Sequence, residues 1–278
     1  MSQTLSDHQL NQYKSEGYLL VEAFFSNDEI SALKSRAKSD HELDSNSYGR
    51  GDGEGGEIRL SLWNQPGNGI YGAFARSQRM VKLVGELLDD EPYHYHSKMI
   101  MKDAKVGGAW AWHQDYGYWY QNAVLQPNLV SAFIAVDKAT RENGCLQVIP
   151  RSHLYGRIDH TLTGEQAGAD LERVEQIQNR EELVYVAMSP GDVIFFHPNL
   201  LHRSDQNKSD APRWSMICCY NARSNQPYKE SRHPFYSPID IVPDDKVIQF
   251  AEADADQMSW HKGSTPTAET LATDEQES

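Results

Sequence analysis

Cysteine is scarce: the 278 residues contain three, Cys145, Cys218 and Cys219, with no Cys-x-x-Cys spacing. That count argues against a disulfide framework and against common zinc or dithiol sites. Adjacent residues in a strand face opposite ways, so Cys218 and Cys219 are expected to pack as small apolar groups in a reducing compartment. Positive charge is also in short supply, with 26 Lys and Arg against 40 Asp and Glu and a formal net charge of −14. Nucleic-acid partners need clustered cations, and so do anionic membrane surfaces; the acidic balance argues against both and reads as solubility. No segment approaches the roughly 18 apolar residues of a membrane span. The first residues, Met1-Ser2-Gln3-Thr4-Leu5-Ser6-Asp7, have neither the basic start nor the apolar run of a secretory signal. A cytoplasmic location is expected.

The length suits one large β domain that buries about three quarters of the unfolded chain's surface without staples. Ser6 with Gln9, and Ser26 with Glu29, fit the reciprocal helix-capping box. The first helix should stop at Gly17 and lead into a short strand over 18–21. The second carries Ile30, Leu33 and Ala37 on one stripe. A third is marked by Met80, Leu83, Val84, Leu87 and Leu88 at helical spacing. Residues 40–57 are polar and rich in glycine, without the Lys and following helix of a phosphate-binding loop. They are expected to form a flexible surface loop, with a lid over a site as the sharper alternative.

From Tyr93 the pattern changes to short β runs over 93–101, 129–136, 145–149, 183–187, 192–196 and 214–220, punctuated by Asn143-Gly144 and Pro190-Gly191. The expected fold is mainly β with flanking helices, a double-stranded β-helix or cupin-like jelly roll. One domain is expected over 1–261, with a helical part over about 6–90, a β core over about 91–223 and an insertion over about 154–182. The insertion carries a helical pattern from Leu171 to Ile177. A disordered acidic tail is expected over 262–278.

Histidine is plentiful, and one arrangement carries chemistry. His113 and Asp115 form the chain's only His-x-Asp, in Trp112-His113-Gln114-Asp115. Along an extended strand, i and i+2 share a face, so an imidazole and a carboxylate reach one point. A further histidine from a distant strand completes two His and one carboxylate on one side of a metal. That set suits non-haem Fe(II), because the opposite positions stay open. Strand alternation leaves both His197 and His202 as candidates for the third ligand, with Pro198 interrupting the ladder after His197. His94 and His96 form a rival pair, but no closely spaced Glu follows; both are expected to be packed and hydrogen-bonded.

Five blocks in order resemble the phytanoyl-CoA dioxygenase family of Fe(II)- and 2-oxoglutarate-dependent oxygenases. They are Trp112 to Tyr116, Glu142-Asn143-Gly144 through His153, Pro190-Gly191-Asp192 through His197, Leu201-His202-Arg203-Ser204, and Pro212-Arg213-Trp214. The resemblance runs over about residues 8–223. It implies His113, Asp115 and His202 as iron ligands and catalytic centre, so it selects His202 over His197. It further implies Arg213 as the partner of the distal 2-oxoglutarate carboxylate, with Ser204 assisting. An arginine facing a barrel interior would need such an anion, because burying it alone is costly. The implied co-reactants are Fe(II), 2-oxoglutarate and O2, with ascorbate as a candidate reductant.

Around these residues, Lys98, Gln114, Tyr116 and Trp119 are candidates for the substrate pocket. Gln114 points away from His113 on an ideal strand. The aromatics Tyr116, Tyr118, Trp119 and Tyr120 could equally wall a pocket or fill core, and a lysine such as Lys98 is more often exposed. The function implied is hydroxylation of a small molecule with release of succinate and CO2. Asp115 favours this over halogenation, for which related enzymes have a small residue at that position. Two alternatives stand beside it: a jelly-roll metal- or ligand-binding protein, and a cupin-type metalloenzyme that does not use 2-oxoglutarate. No basic patch for a CoA tail is visible, and no feature specifies an oligomeric state.

Overall fold

The computed structural model describes residues 4–163, 166–253 and 258–261; the tail expected over 262–278 lies outside the described residues. The chain opens with α1 (Asp7–Glu16), where the Ser6 hydroxyl accepts from the Gln9 N–H and the Gln9 side chain accepts from the Ser6 N–H. Gly17 ends the helix at φ 82°, a left-handed conformation that glycine adopts without a Cβ clash. The chain turns at once into β1 (Tyr18–Val21). Ser26 and Glu29 repeat the capping box at the start of α2 (Asn27–Ser39), and Asp40 caps the short α3 (His41–Ser45).

The expectation of a flexible loop over 40–57 is corrected. After α3, β2 (Tyr48–Gly51) and β3 (Glu57–Trp63) pair as an antiparallel hairpin. Asp52 holds it. Its Oδ1 accepts from the Glu54 and Gly56 N–H groups across the turn, and its Oδ2 accepts from Ala109 N and Gln206 Nε2 in the body. Gly53, Gly55 and Gly56 therefore belong to a tight, docked turn, and Gly49 and Gly51 to β2. Helix α4 (Ile70–Arg76) follows, then α5 (Gln78–Leu88), whose predicted stripe Met80, Leu83, Val84, Leu87 and Leu88 is buried.

The β-rich part contains β4 (Pro92–Lys102), β5 (Trp110–His113), the one-turn α6 (Asp115–Trp119), β6 (Leu129–Ala135) and β7 (Leu146–Val148). An excursion then forms β8 (His160–Thr163), β9 (Gln166–Ala169) and α7 (Leu171–Gln178). The chain returns through β10 (Val184–Val186), β11 (Val193–Phe196), β12 (His202–Ser204) and β13 (Arg213–Ala222), with β14 (Trp260–His261) near the end. The major sheet runs β1-β11-β6-β13-β4-β3-β14, with β2 beside β3, and the minor sheet runs β10-β7-β12-β5. All the ladders between these strands are antiparallel. This is a jelly roll without a closed barrel. The part expected to be helical, 6–90, contributes β1, β2 and β3 to the major sheet. Of these, β1 is the short strand expected over 18–21; β2, Tyr48-Gly49-Arg50-Gly51, and β3 lie in or beside the glycine-rich stretch expected as a loop.

Strand alternation sorts the core into two layers. Val193, Phe195, Met216 and Cys218 join the cluster under the helices, with Leu33, Phe74 and Leu83. Ile194, Phe196, Ile217 and Cys219 point the other way, against Leu146, Val148 and Val186 of the minor sheet. Cys218 and Cys219 are thus buried on opposite faces, both as free thiols. The excursion covers the outer face of the minor sheet: Ile158, Val174 and Ile177 pack on Trp112 and Leu201. Their sequence neighbours His113 and His202 consequently face inward.

Candidate metal centre

His113 and His202 are register partners on β5 and β12, with ring centroids 4.0 Å apart. Strand β5 stops at His113. Gln114 stays extended at φ −117° and ψ 133°, and Asp115 is the first residue of α6. The i, i+2 geometry therefore works through one extended residue at a strand-to-helix junction, which departs from the continuous strand expected. Asp115 Oδ1 lies 3.9 Å from the Nε2 of each histidine, and the three donor atoms fall within 4.8 Å of one another. His113, Asp115 and His202 are 5%, 2% and 5% exposed.

The remaining polar atom of each side chain is anchored. His113 Nδ1 sits 2.8 Å from the Ala111 carbonyl and His202 Nδ1 2.9 Å from that of Leu200. A carbonyl only accepts, so both rings carry their proton on Nδ1 and turn the Nε2 lone pair inward. Burial lowers both pKa values, for His113 with help from His202 and for His202 against the pull of Asp115. Neutral imidazoles are what a metal requires. Asp115 Oδ2 accepts from Ser131 Oγ at 2.5 Å, leaving Oδ1 for the centre. The donor set fits Fe(II). Ser131 is a lone hydroxyl inside the apolar, fully buried strand β6, a signal the sequence offered and motif reading passed over. Ser131→Ala should raise the dissociation constant for Fe(II) roughly 10–100-fold, measured by competition with a chelator; an unchanged constant would show that this contact does not orient the carboxylate.

A slot beside the triad is lined by Arg213, Ser204, Phe133 and Lys98 among others. Arg213 opens β13 and is 2% exposed. Its guanidinium donates to Ser215 Oγ at 3.1 Å and stands 5.6 Å from the Phe133 ring centroid, while Nε has no partner among the described residues. No carboxylate of the described residues pairs with it. Burial pushes it down to about 10, opposed by Cys145 and Asp137. Ser204 shares the inward face of β12 with His202.

A second chamber shares Asp115, Lys98 and Trp110 with the slot and is walled by Trp119, Tyr118, Tyr48 and Arg50. Lys98 is half-buried at the junction of the two, where an exposed position was the commoner expectation. Two pocket candidates are corrected. Gln114 faces away from both cavities: its Nε2 donates to Gly156 O and Asn199 O, and its Oε1 accepts from Ile158 N. It clamps the excursion to α6. Tyr116 is buried core, its hydroxyl bonded to Val124 O, and it lines neither cavity.

His197 lies outside the centre, its Nδ1 accepting from Asn199 N and its ring 5.1 Å from that of His153. His94 bonds Asn64 O and Ser97 Oγ, and His96 stacks on His233 at 4.7 Å. His160 belongs to no motif in the sequence. It accepts from Gln114 N, lies 4.7 Å from the Tyr118 ring and is held neutral by burial at about 4. Gly117 makes room for it, since a Cβ there would meet His160 Nε2 at 2.2 Å.

The sequence profile of the phytanoyl-CoA dioxygenase (PhyH) family matches residues 13–215. The chain belongs to this family. It is a 2-oxoglutarate-dependent non-haem iron dioxygenase. It is 32% identical over 188 residues to L-proline trans-4-hydroxylase of Streptomyces griseoviridis, covering 61% of this chain and 70% of that protein. It is 28% identical over 238 residues to ectoine dioxygenase of Sphingopyxis alaskensis, covering 80% and 78%. The crystal structure of EctD from S. alaskensis with bound Fe superposes with a TM-score of 0.70 at 24% identity, over 86% of this chain and 88% of that one, and shows the shared fold. Among the described residues of this PhyH-family chain, no helix is long and apolar enough to cross a membrane.

Proposed function

We propose that this dioxygenase hydroxylates a C–H bond of a small molecule lodged in the chamber bounded by Trp119, Tyr118 and Arg50. In one turnover the substrate C–H, 2-oxoglutarate and O2 become the C–OH product, succinate and CO2. One observation carries the co-substrate assignment: Arg213, buried and without a carboxylate partner among the described residues, faces the same slot as the His-Asp-His centre. A guanidinium fork takes a carboxylate in two parallel hydrogen bonds. Arg213 would bind the distal carboxylate of 2-oxoglutarate, with the Ser204 hydroxyl beside it.

His113, Asp115 and His202 would hold Fe(II), which when bound supplies O2 activation and the oxidative decarboxylation of 2-oxoglutarate. The protein's own part is placement. The Nδ1 anchors fix the rings, Ser131 fixes the carboxylate, and Phe133, Phe196 and Ile217 keep the slot dry. Asp115 occupies the position a halide would need, which favours hydroxylation. Ascorbate would serve as the reductant that restores Fe(II). Three buried free thiols accord with a cytoplasmic setting.

The two named relatives take small polar molecules, L-proline and ectoine, and these are the first substrates to test. Purified protein with Fe(II), 2-oxoglutarate and O2 should release succinate, and hydroxylated product should appear in equal amount with a true substrate. No consumption of 2-oxoglutarate under any of these conditions would sink the proposal in favour of a binding protein or a hydrolytic metalloenzyme.

A further inference from the structure

Two side chains of the excursion bond the backbone on either side of His113. Ahead of it, Gln166 on β9 accepts from Ala111 N at 2.8 Å through Oε1 and donates to Ala109 O at 3.0 Å through Nε2. Beyond it, His160 on β8 accepts from Gln114 N at 3.1 Å through Nε2. Both contacts bear on the triad. The Ala111 carbonyl anchors the His113 ring, and the Gln114 N–H belongs to the peptide unit through which His113 leads to Asp115. A peptide unit is planar, so the way this one is turned sets the direction in which the chain leaves β5 and carries the Asp115 carboxylate. The His160 ring fits against α6 because Gly117 has no Cβ to meet it. It lies 4.7 Å from the Tyr118 ring, which is itself 5.8 Å from the His113 ring and bonded through its hydroxyl to Ala167 O of β9.

We infer that His160 and Gln166 are positioning residues of the metal centre: from the excursion they fix the backbone on which His113 and Asp115 reach one ion. An imidazole accepts a hydrogen bond only through its unprotonated nitrogen, so His160 serves in its neutral form, with the proton on Nδ1. A residue that holds ligands in place shows itself, when removed, as weaker and altered coordination. A residue that only packs would lower stability and leave coordination as it was. The inference rests on the triad being the iron site.

The test is Co(II) titration of the full chain followed by visible absorption, which reads affinity and coordination geometry together without turnover. His160→Leu removes the acceptor, and His160→Gln returns one. His160→Leu should weaken Co(II) binding roughly 10–100-fold and shift the visible bands, and His160→Gln should recover most of both. Gln166→Met should weaken binding in the same direction, and it carries the test where His160→Leu folds poorly. Thermal unfolding of the metal-free proteins is measured alongside. The inference is overturned where His160→Leu and Gln166→Met melt lower yet bind Co(II) with unchanged affinity and spectrum, or where His160→Gln is as damaging as His160→Leu. Failure of the unaltered protein to bind Co(II), or equal binding by Asp115→Ala, would strike the triad itself and the inference with it.

Discussion

Asp115→Ala is expected to abolish succinate formation and leave a weakened iron site. The side chain is 2% exposed, and its Oδ1 sits 3.9 Å from both histidine Nε2 atoms. Removing it deletes the only anionic ligand and leaves two neutral imidazoles whose Nδ1 anchors are untouched. Iron should therefore bind more weakly but measurably, because the histidines remain oriented. The loss of turnover should exceed what lower occupancy explains, and saturating Fe(II) should not restore it. Iron titration followed by a succinate assay on the loaded variant separates the two effects. Recovery of wild-type turnover at high Fe(II) would show that Asp115 serves occupancy alone.

Arg213→Ala should raise the 2-oxoglutarate requirement more than tenfold with metal affinity nearly intact. The charge-assisted contact is worth roughly 2–5 kcal/mol when one partner is truncated. Among the described residues, Arg213 makes a single side-chain hydrogen bond, to Ser215, and its burial already depresses its pKa. Removing an unpaired buried cation relieves that cost, so the variant should unfold at a temperature no lower than the parent. Weaker co-substrate binding with undiminished stability would mark a ligand-binding arginine. A structural arginine would give the opposite result, lower melting with equal affinity for 2-oxoglutarate.

Much of the fold is local and was readable in the chain. The capping boxes at Ser6 and Ser26, the stop at Gly17 and the stripe of α5 all depend on neighbours within a few residues. The β-rich part was legible because Asn143-Gly144 and Pro190-Gly191 punctuate it. The hairpin over 48–63 was not, since what orders it is Asp52 reaching Ala109 and Gln206, contacts distant in sequence. At the site, the i, i+2 pair and the family-like blocks pointed to residues that the structure brings together. The same alternation that placed His113 inward turned Gln114 outward, which spacing had already indicated. Arg50 and Arg232 carry no local signal, and a hairpin and a distant segment bring them to one cavity.

The pairing of His113 with His202 across β5 and β12 has a mechanical consequence. β5 is one of the two edge strands of the minor sheet, only four residues long, and its ladder to β12 is interrupted by a register shift. An ion shared by the two rings would rivet that margin to its neighbour. Short edge segments with few ladder bonds open first in native proteins, and a ligand bound only to the closed form suppresses such opening by mass action. Iron loading would then slow amide hydrogen exchange along Trp110–His113 before it altered global unfolding. The catalytic ion would double as a fastener of a short edge of its own scaffold.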